Sequence, residues 1–467
     1  MELEVLFKGT AEQSRLLTSE PAIHPSSCAA TSLKAQSGRD LAAAPSPSLK
    51  APSRSLNGDA SAGVDHAAMV EAEAEKLMKQ YCSHPLRRHP LQAALEAECQ
   101  AWLADLYSPY LPAILVQRLL DTRLDTLGCV FYPQSPDYRR ALALVKLMHW
   151  FFILDDVVDD AHLLGHDYDG ARRFALRQYR AIFGDNIKEA QQMGLIDEGG
   201  YGFEDEGSGL AALRKNKMEL AVTTTGDGAK GGADAAAARE AKRQARVLEE
   251  LAIEIGVQWA TELQATGLSP RHVERLREGV AHYMVGVISL ARLRQEKRLP
   301  SVDEYIRLRR MDGAAMLGLL ACELDAHIEL DDETLHHPLI QRLQWATVNQ
   351  MLWINDLLSF YRESNIDDYV SLLGVLHYNN VAASATTITS EGGGQKPPQE
   401  MAGFEYALSQ ARAMIKDCDD ECVRLTRDIG AWRPHLDRYV DATLSFVSGL
   451  AFWTLWSSRY HIREVLI

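Results

Sequence analysis

From about residue 65 onward, apolar residues recur every three to four positions, the period of a helix with one buried face. The pattern predicts helices over 69–81, 91–107 and 114–127, with the run CVFYP stopping the third before Pro133. It predicts further helices over 138–158, 245–266, 272–294, 302–326, 339–363, 367–378 and 402–427, and a last one from 434 to about 460. No alternation of period two persists over a useful length, so the expected fold class is all-α. Within 302–326 the pair Asp312-Gly313 interrupts a regular pattern. Glycine there costs ~1 kcal/mol relative to alanine, which predicts a helix break put to use.

Two stretches have no face to bury. Residues 186–240 and 382–400 are rich in glycine and small or charged residues and read as surface insertions. Residues 1–66 are rich in Ala, Ser and Pro without an apolar period, so a disordered tail is expected. No linker divides the remainder, which makes 67–467 one large helical domain.

Composition narrows the partners. Apolar residues make up 46% of the chain, enough for a sizeable core, and the formal net charge is −15. That charge argues against a nucleic-acid partner, and an anionic substrate would need local arginine or bound cations. Seven cysteines, an odd number without CxxC or Cys/His zinc spacing and without a signal peptide, read as reduced and place the protein in the cytoplasm. No apolar run approaches the ~20 residues of a membrane span. Oligomeric state stays open, a homodimer included.

The chemistry concentrates in two strings. WFFILDDVVDD, residues 150–160, ends an apolar helix in carboxylates, with Asp155 and Asp159 one turn apart on one face and Asp156 and Asp160 on the next. Such a cluster repels itself unless divalent cations hold it, and hard oxygen ligands suit magnesium. The plain alternative is a solvated acidic helix end. WINDLLSFYRE, residues 353–363, carries Asn355, Ser359 and Glu363 at i, i+4 and i+8, an oxygen-only set on one face. It also reads as a polar stripe on an amphipathic helix, although the apolar Trp353, Ile354, Leu357, Leu358 and Phe360 around it make an unpartnered triplet costly.

Together, DDVVD at 155–159 and ND-LL-S-FYR-E at 355–363 resemble the two metal-binding motifs of class I terpene synthases of the microbial single-domain type. The resemblance extends to Arg309, 46 residues before Asn355, to Asp312 and Gly313 after it, and to the pair Arg459-Tyr460 near the end. It implies the isoprenoid synthase bundle of helices around an apolar active-site cavity. It implies Asp155, Asp156, Asp159, Asn355, Ser359 and Glu363 as metal ligands for Mg2+, three ions with the diphosphate, though the extended DDxxDD leaves open which of Asp156, Asp159 and Asp160 touches metal. Arg309 would sense the diphosphate, Asp312 and Gly313 would be linker and effector, and Arg309, Arg362, Arg459 and Tyr460 would donate to the leaving group. Phe131, Phe151, Phe152, Trp353 and Trp453 are the aromatic candidates for a wall facing a carbocation.

The implied reaction is ionisation of a linear prenyl diphosphate followed by cyclisation, and the domain's size favours the farnesyl substrate. A chain-elongating prenyltransferase shares the fold but should carry a second aspartate-rich motif where Asn355, Ser359 and Glu363 stand. A non-catalytic helical relative is the third reading. Asp417-Cys418-Asp419-Asp420 matches the DxDD of class II cyclases, but the chain has no room for their separate domains, so the run reads as a solvated helix face.

Overall fold

Helix starts follow local capping chemistry. Ser269 caps a helix that opens with Pro270, and its hydroxyl accepts from the His272 amide at 3.1 Å. Ser301 accepts from the Glu304 amide at 3.2 Å, and Asp167 from that of Gly170 at 2.8 Å. The computed structural model describes residues 71–159, 163–184, Leu195, 233–364, 370–387 and 399–460; along 233–242, at 244 and along 361–364, 381–387 and 399–403 it describes backbone only.

A helical segment over 71–78 precedes α1 (Gln92–Tyr107), α2 (Ala113–Asp121), α3 (Leu124–Phe131), α4 (Tyr138–Asp159) and α5 (Tyr168–Phe183). Then come α6 (Ala233–Gln264), α7 (Pro270–Gln295), α8 (Val302–Asp312), α9 (Ala315–Ala326), the short α10 (Asp332–Leu335) and α11 (Pro338–Ser364). The chain closes with α12 (Leu372–Thr387), α13 (Gln399–Trp432), α14 (Asp437–Trp456) and a 3-10 turn, Ser458–Tyr460. The described residues contain no strand, so the fold is all-α, and none of their helices is long and apolar enough to cross a membrane.

One continuous core runs through the bundle. α4 is buried along nearly its whole length, packing against α6, α3 and α1, with Trp150, Trp259 and Tyr283 forming an aromatic knot at centroid distances of 5.2 and 5.7 Å. α11 packs against α13 and α14 instead. Among the described residues, α4 and α11 are not close-packed on one another, and the polar side chains of the next section bridge them.

The structure corrects several boundaries. The helix expected over 114–127 is two, because Arg123 adopts a left-handed conformation (φ 54°) between α2 and α3. The insertion expected over 186–240 gives way to α6 at Ala233, where a run of alanines, the strongest helix formers, is helical. The second insertion, expected over 382–400, is helical through Thr387 and again from Gln399, which leaves 388–398 outside the described residues. The tail 1–66 also lies outside them, as do 185–194 and 196–232. The last helix ends at Trp456 rather than about 460: Ser457 is extended (ψ 148°), and Arg459-Tyr460 sits on the 3-10 turn.

Candidate active site

The break between α8 and α9 falls where the sequence places it, but by a different device. Gly313 keeps ordinary angles (φ −76°, ψ 13°), while Ala314 takes the left-handed turn (φ 52°, ψ 35°). Gly313 is needed for space. A Cβ there would lie 2.2 Å from Leu352 Cδ2 and 2.9 Å from the Arg309 carbonyl oxygen. Gly286 on α7 has the same role from outside, since its Cβ would lie 2.4 Å from the Asp312 amide nitrogen. The corner is therefore wedged between α7 and α11, and this wedging aims the C-terminal turn of α8.

That turn carries Arg309, whose guanidinium serves three partners. It donates to Asn355 Oδ1 at 2.8 Å, to Asp312 Oδ2 at 2.8 Å and, through Nε, to Asp356 Oδ1 at 2.9 Å. Asp356 is buried and also accepts from the Tyr305 hydroxyl and, at 3.2 Å, from the Leu372 amide. The 46-residue spacing between Arg309 and Asn355 thus becomes a direct side-chain contact.

On the side of α4, Arg459 grips the aspartate motif. Its two terminal nitrogens donate to Asp156 at 2.7 and 3.0 Å, and Asp155 lies 3.6 Å away. Its guanidinium stacks over Phe152 at 4.8 Å, and Phe152 meets Trp453 edge-on at 5.0 Å. The turn that carries Arg459 is pinned to the end of α2: Ser457 and Ser458 hydroxyls donate to the Thr122 and Asp121 carbonyls at 2.9 and 3.0 Å, and the Trp453 indole donates to Thr122 and Arg123. Tyr460, next in the chain, receives the Asn355 amide on its hydroxyl at 3.4 Å. Arg459-Tyr460 therefore joins the two motifs, and Asp155 and Asn355 belong to one polar site.

Among the described side chains, charge in this site is unbalanced. Asp155, Asp156, Asp159, Asp312 and Asp356 stand against Arg294, Arg309 and Arg459, with Arg294 ion-paired to Asp159 at 2.7 Å. Desolvation, then the charge of Asp159, pushes the Asp155 carboxyl well above the usual carboxylate range. Asp312 is raised to about 6, chiefly by burial, with Arg309 opposing the rise and Asp159 adding to it. The side chains of Asp155, Asp156 and Asp159 nonetheless keep 39%, 31% and 27% of their surface accessible, so the cluster is open to a ligand and not sealed in the core.

The other expected residues divide. Ser359 is buried on the Asn355 face of α11, whereas the side chains of Arg362 and Glu363 lie outside the described residues, as does Asp160. Among the aromatics, Phe152 and Trp453 adjoin Arg459 and Tyr460. Phe151 packs on Trp150 and Tyr283, and Phe131 on Phe446 and Tyr132, each at 4.6 to 5.9 Å. Trp353 is buried on α11. Sequence reasoning passed over Asp356, Tyr305 and Arg294. For Asp356 a signal existed, a carboxylate beside Asn355 in an otherwise apolar stretch; for Arg294 there was none, because its partner lies on another helix.

Residues 232–388 match a family model described as terpene synthase family 2, C-terminal metal binding; the match includes Arg309 and Asn355 but stops short of Asp155. A microbial terpene synthase-like protein of Selaginella moellendorffii is 23% identical over 384 residues, 81% of this chain and 85% of its own length. Sesquiterpene synthase 3 of Postia placenta is 34% identical over 118 residues, 25% of this chain and 32% of its own. In fold, the chain is similar to linalool/nerolidol synthase from Streptomyces clavuligerus, solved with 2-fluorogeranyl diphosphate, with a TM-score of 0.52, 15% identity, and coverage of 79% of this chain and 100% of that one. Fold, family match and relatives agree with the paired motifs: the chain is similar to class I terpene synthases over most of its length and shares their all-α fold.

Proposed function

We propose that the protein is a magnesium-dependent terpene cyclase that ionises farnesyl diphosphate, releases diphosphate and closes the resulting carbocation into a sesquiterpene. The observation that carries this reading is the joining of two oxygen-rich helix faces by Arg459-Tyr460, with Arg309 on the second face, around a cluster of carboxylates. A name containing sesquiterpene synthase among the relatives supports the fifteen-carbon substrate, and a diphosphate bound to a protein of the same fold supports the leaving group.

The donor set fits a hard cation. Mutually repelling carboxylates, an amide and a hydroxyl, without sulfur or imidazole, suit Mg2+, and Asp155, Asp159, Asn355, Ser359 and Glu363 would hold it, with three ions expected. When bound, the metal stabilises charge on the departing diphosphate.

The arginines have the other part of the work. Arg309 and Arg459, with Arg362, can donate to diphosphate oxygens, which makes Arg459 exchange Asp156 for the substrate. Asp156 then serves as the resting partner of Arg459 and Asp155 as the metal ligand. Asp356 holds Arg309 through Nε, and the terminal nitrogens would exchange Asp312 and Asn355 for the anion. Asp312 and Gly313, as linker and effector, transmit that movement to the α8–α9 corner. Phe152 and Trp453, with Phe131, Phe151 and Trp353, are the proposed wall, whose rings stabilise positive charge without reacting with it. Exclusion of water keeps the cation from being quenched.

A chain-elongating prenyltransferase fits less well, because Asn355 and Ser359 stand where aspartates would be expected. Incubation with ten-, fifteen- and twenty-carbon prenyl diphosphates plus Mg2+, followed by gas chromatography, tests the proposal. A cyclic fifteen-carbon product is expected. Elongated prenyl diphosphates, or no metal-dependent turnover of any of the three, would overturn it.

A further inference from the structure

Away from the acidic site, the fold gathers a second cluster from residues far apart in sequence. Cys82 and His84 lie just after the helical segment 71–78, and Asp419 lies on α13; one ligand atom from each falls within 4.8 Å of the others, and all three residues are buried. The expectation of a solvated face at 417–420 holds for Asp417 and for Asp420, which pairs with Lys416, but not for Cys418 and Asp419, which are buried. Asp419 is only 7% exposed, and its Oδ1 accepts from the Ser83 amide at 3.0 Å and from Gln350 Nε2 at 2.9 Å.

The second observation is an orphan. His84 is 93% buried, given 7% exposure, and its Nε2 has no hydrogen-bond partner although it lies 3.6 Å from Asp419 Oδ1. A buried imidazole nitrogen without a partner is costly. Here it points at a carboxylate and a thiol, two groups that ligate cations. Gln350, whose amide reaches the same carboxylate, leaves its Oε1 unpartnered as well.

We propose that Cys82, His84 and Asp419 form a binding site for a borderline-soft divalent cation of the zinc class, separate from the oxygen-only site that would take magnesium. The mixed sulfur, nitrogen and oxygen set selects against Mg2+ and for zinc. Ligand bonds of about 2.0–2.3 Å to a central ion need only a modest contraction of the present spacing. Binding would release the Cys82 thiol proton to solvent and satisfy His84 Nε2. Three protein ligands leave a further position for water or a small anion. That position is supplied from a cavity of about 630 Å3 lined by Cys82 and Asp419 together with Lys79, Arg412 and Lys416.

The ion would act as a clamp. Gln350 precedes Asn355 by five residues on α11, about 140° around the helix, so the cluster grips the opposite side of the helix that carries the second motif. It ties that helix and α13 to the segment 81–84, where Gln350 also donates to the Tyr81 carbonyl at 3.0 Å.

Cobalt reports thiolate ligation directly. The full-length protein, stripped with a chelator and titrated with Co2+ in magnesium-containing buffer, should develop a sulfur-to-cobalt charge-transfer band that saturates at one equivalent. Asp155→Asn should keep the band, Cys82→Ser should lose it, and His84→Ala should weaken cobalt affinity by about tenfold or more. Circular dichroism checks that each variant is folded. Absence of the band in folded wild-type protein overturns the proposal without any variant, and so does a band that survives Cys82→Ser or disappears in Asp155→Asn.

Discussion

Asp312→Asn separates stability from function at one buried carboxyl. Asp312 is 8% exposed, and its pKa rises from 3.8 to about 6, with burial the main cause. A carboxyl raised in the folded state favours folding only while protonated. The folded protein therefore loses stability as pH climbs from about 4 to about 6, and the loss persists above that. Two units correspond to about 3 kcal/mol, a net figure that already contains the attraction of Arg309, because that attraction opposes the rise. Asparagine keeps the shape and an acceptor for Arg309 Nη1 while removing the charge that Asp159 repels. At pH 8 the variant should be more stable by up to about 3 kcal/mol, a gain in Tm of about 6 °C, and at pH 4 the two proteins should melt together. Thermal melts followed by circular dichroism at both pH values measure this. Turnover should fall, since Arg309 loses a charged anchor beside Asn355. An equal gain at both pH values, or a loss at pH 8, would refute the reasoning that links the carboxyl's environment to its cost.

Asp155→Asn and Asn355→Ala should each abolish product formation while helical circular dichroism stays intact; wild-type rates in either variant would defeat the metal assignment. Arg459→Lys forfeits the two-pronged contact with Asp156 and should lower kcat/KM roughly ten- to hundredfold, the scale of a charged hydrogen bond, measured by diphosphate release. Gly286→Ala would bring a Cβ to 2.4 and 2.6 Å from backbone atoms of Asp312 and Met311, which cannot move independently, so destabilisation of about 3 kcal/mol or more is expected in chemical denaturation. Gly430→Ala, on α13 with nothing within 4 Å of the added carbon, should instead stabilise by roughly 0.5–1 kcal/mol.

The helical period, the paired motifs and the intervals between them were readable in the chain, because each depends on neighbours within a few turns of one helix. Asp155 and Asp159 share a face by helix geometry alone, as do Asn355 and Ser359, and Arg309 stands opposite Asn355 at the expected interval. What pairs across helices was not readable. Arg459 could be placed near the end of the chain, but its grip on Asp156 depends on an extended Ser457 and on hydroxyls that find the end of α2, 335 and 337 residues earlier. Asp356 became the anchor of Arg309, and Gly313 a matter of room beside Leu352, only once α8 and α11 were packed. Cys82, His84 and Asp419 carry no recognisable spacing, since burial and a contact spanning more than three hundred residues bring them together. Local periodicity determined the elements and most of the polar inventory. Tertiary packing decided which charges neutralise which, because the energy of a buried pair depends on distance and desolvation, and a linear sequence specifies neither.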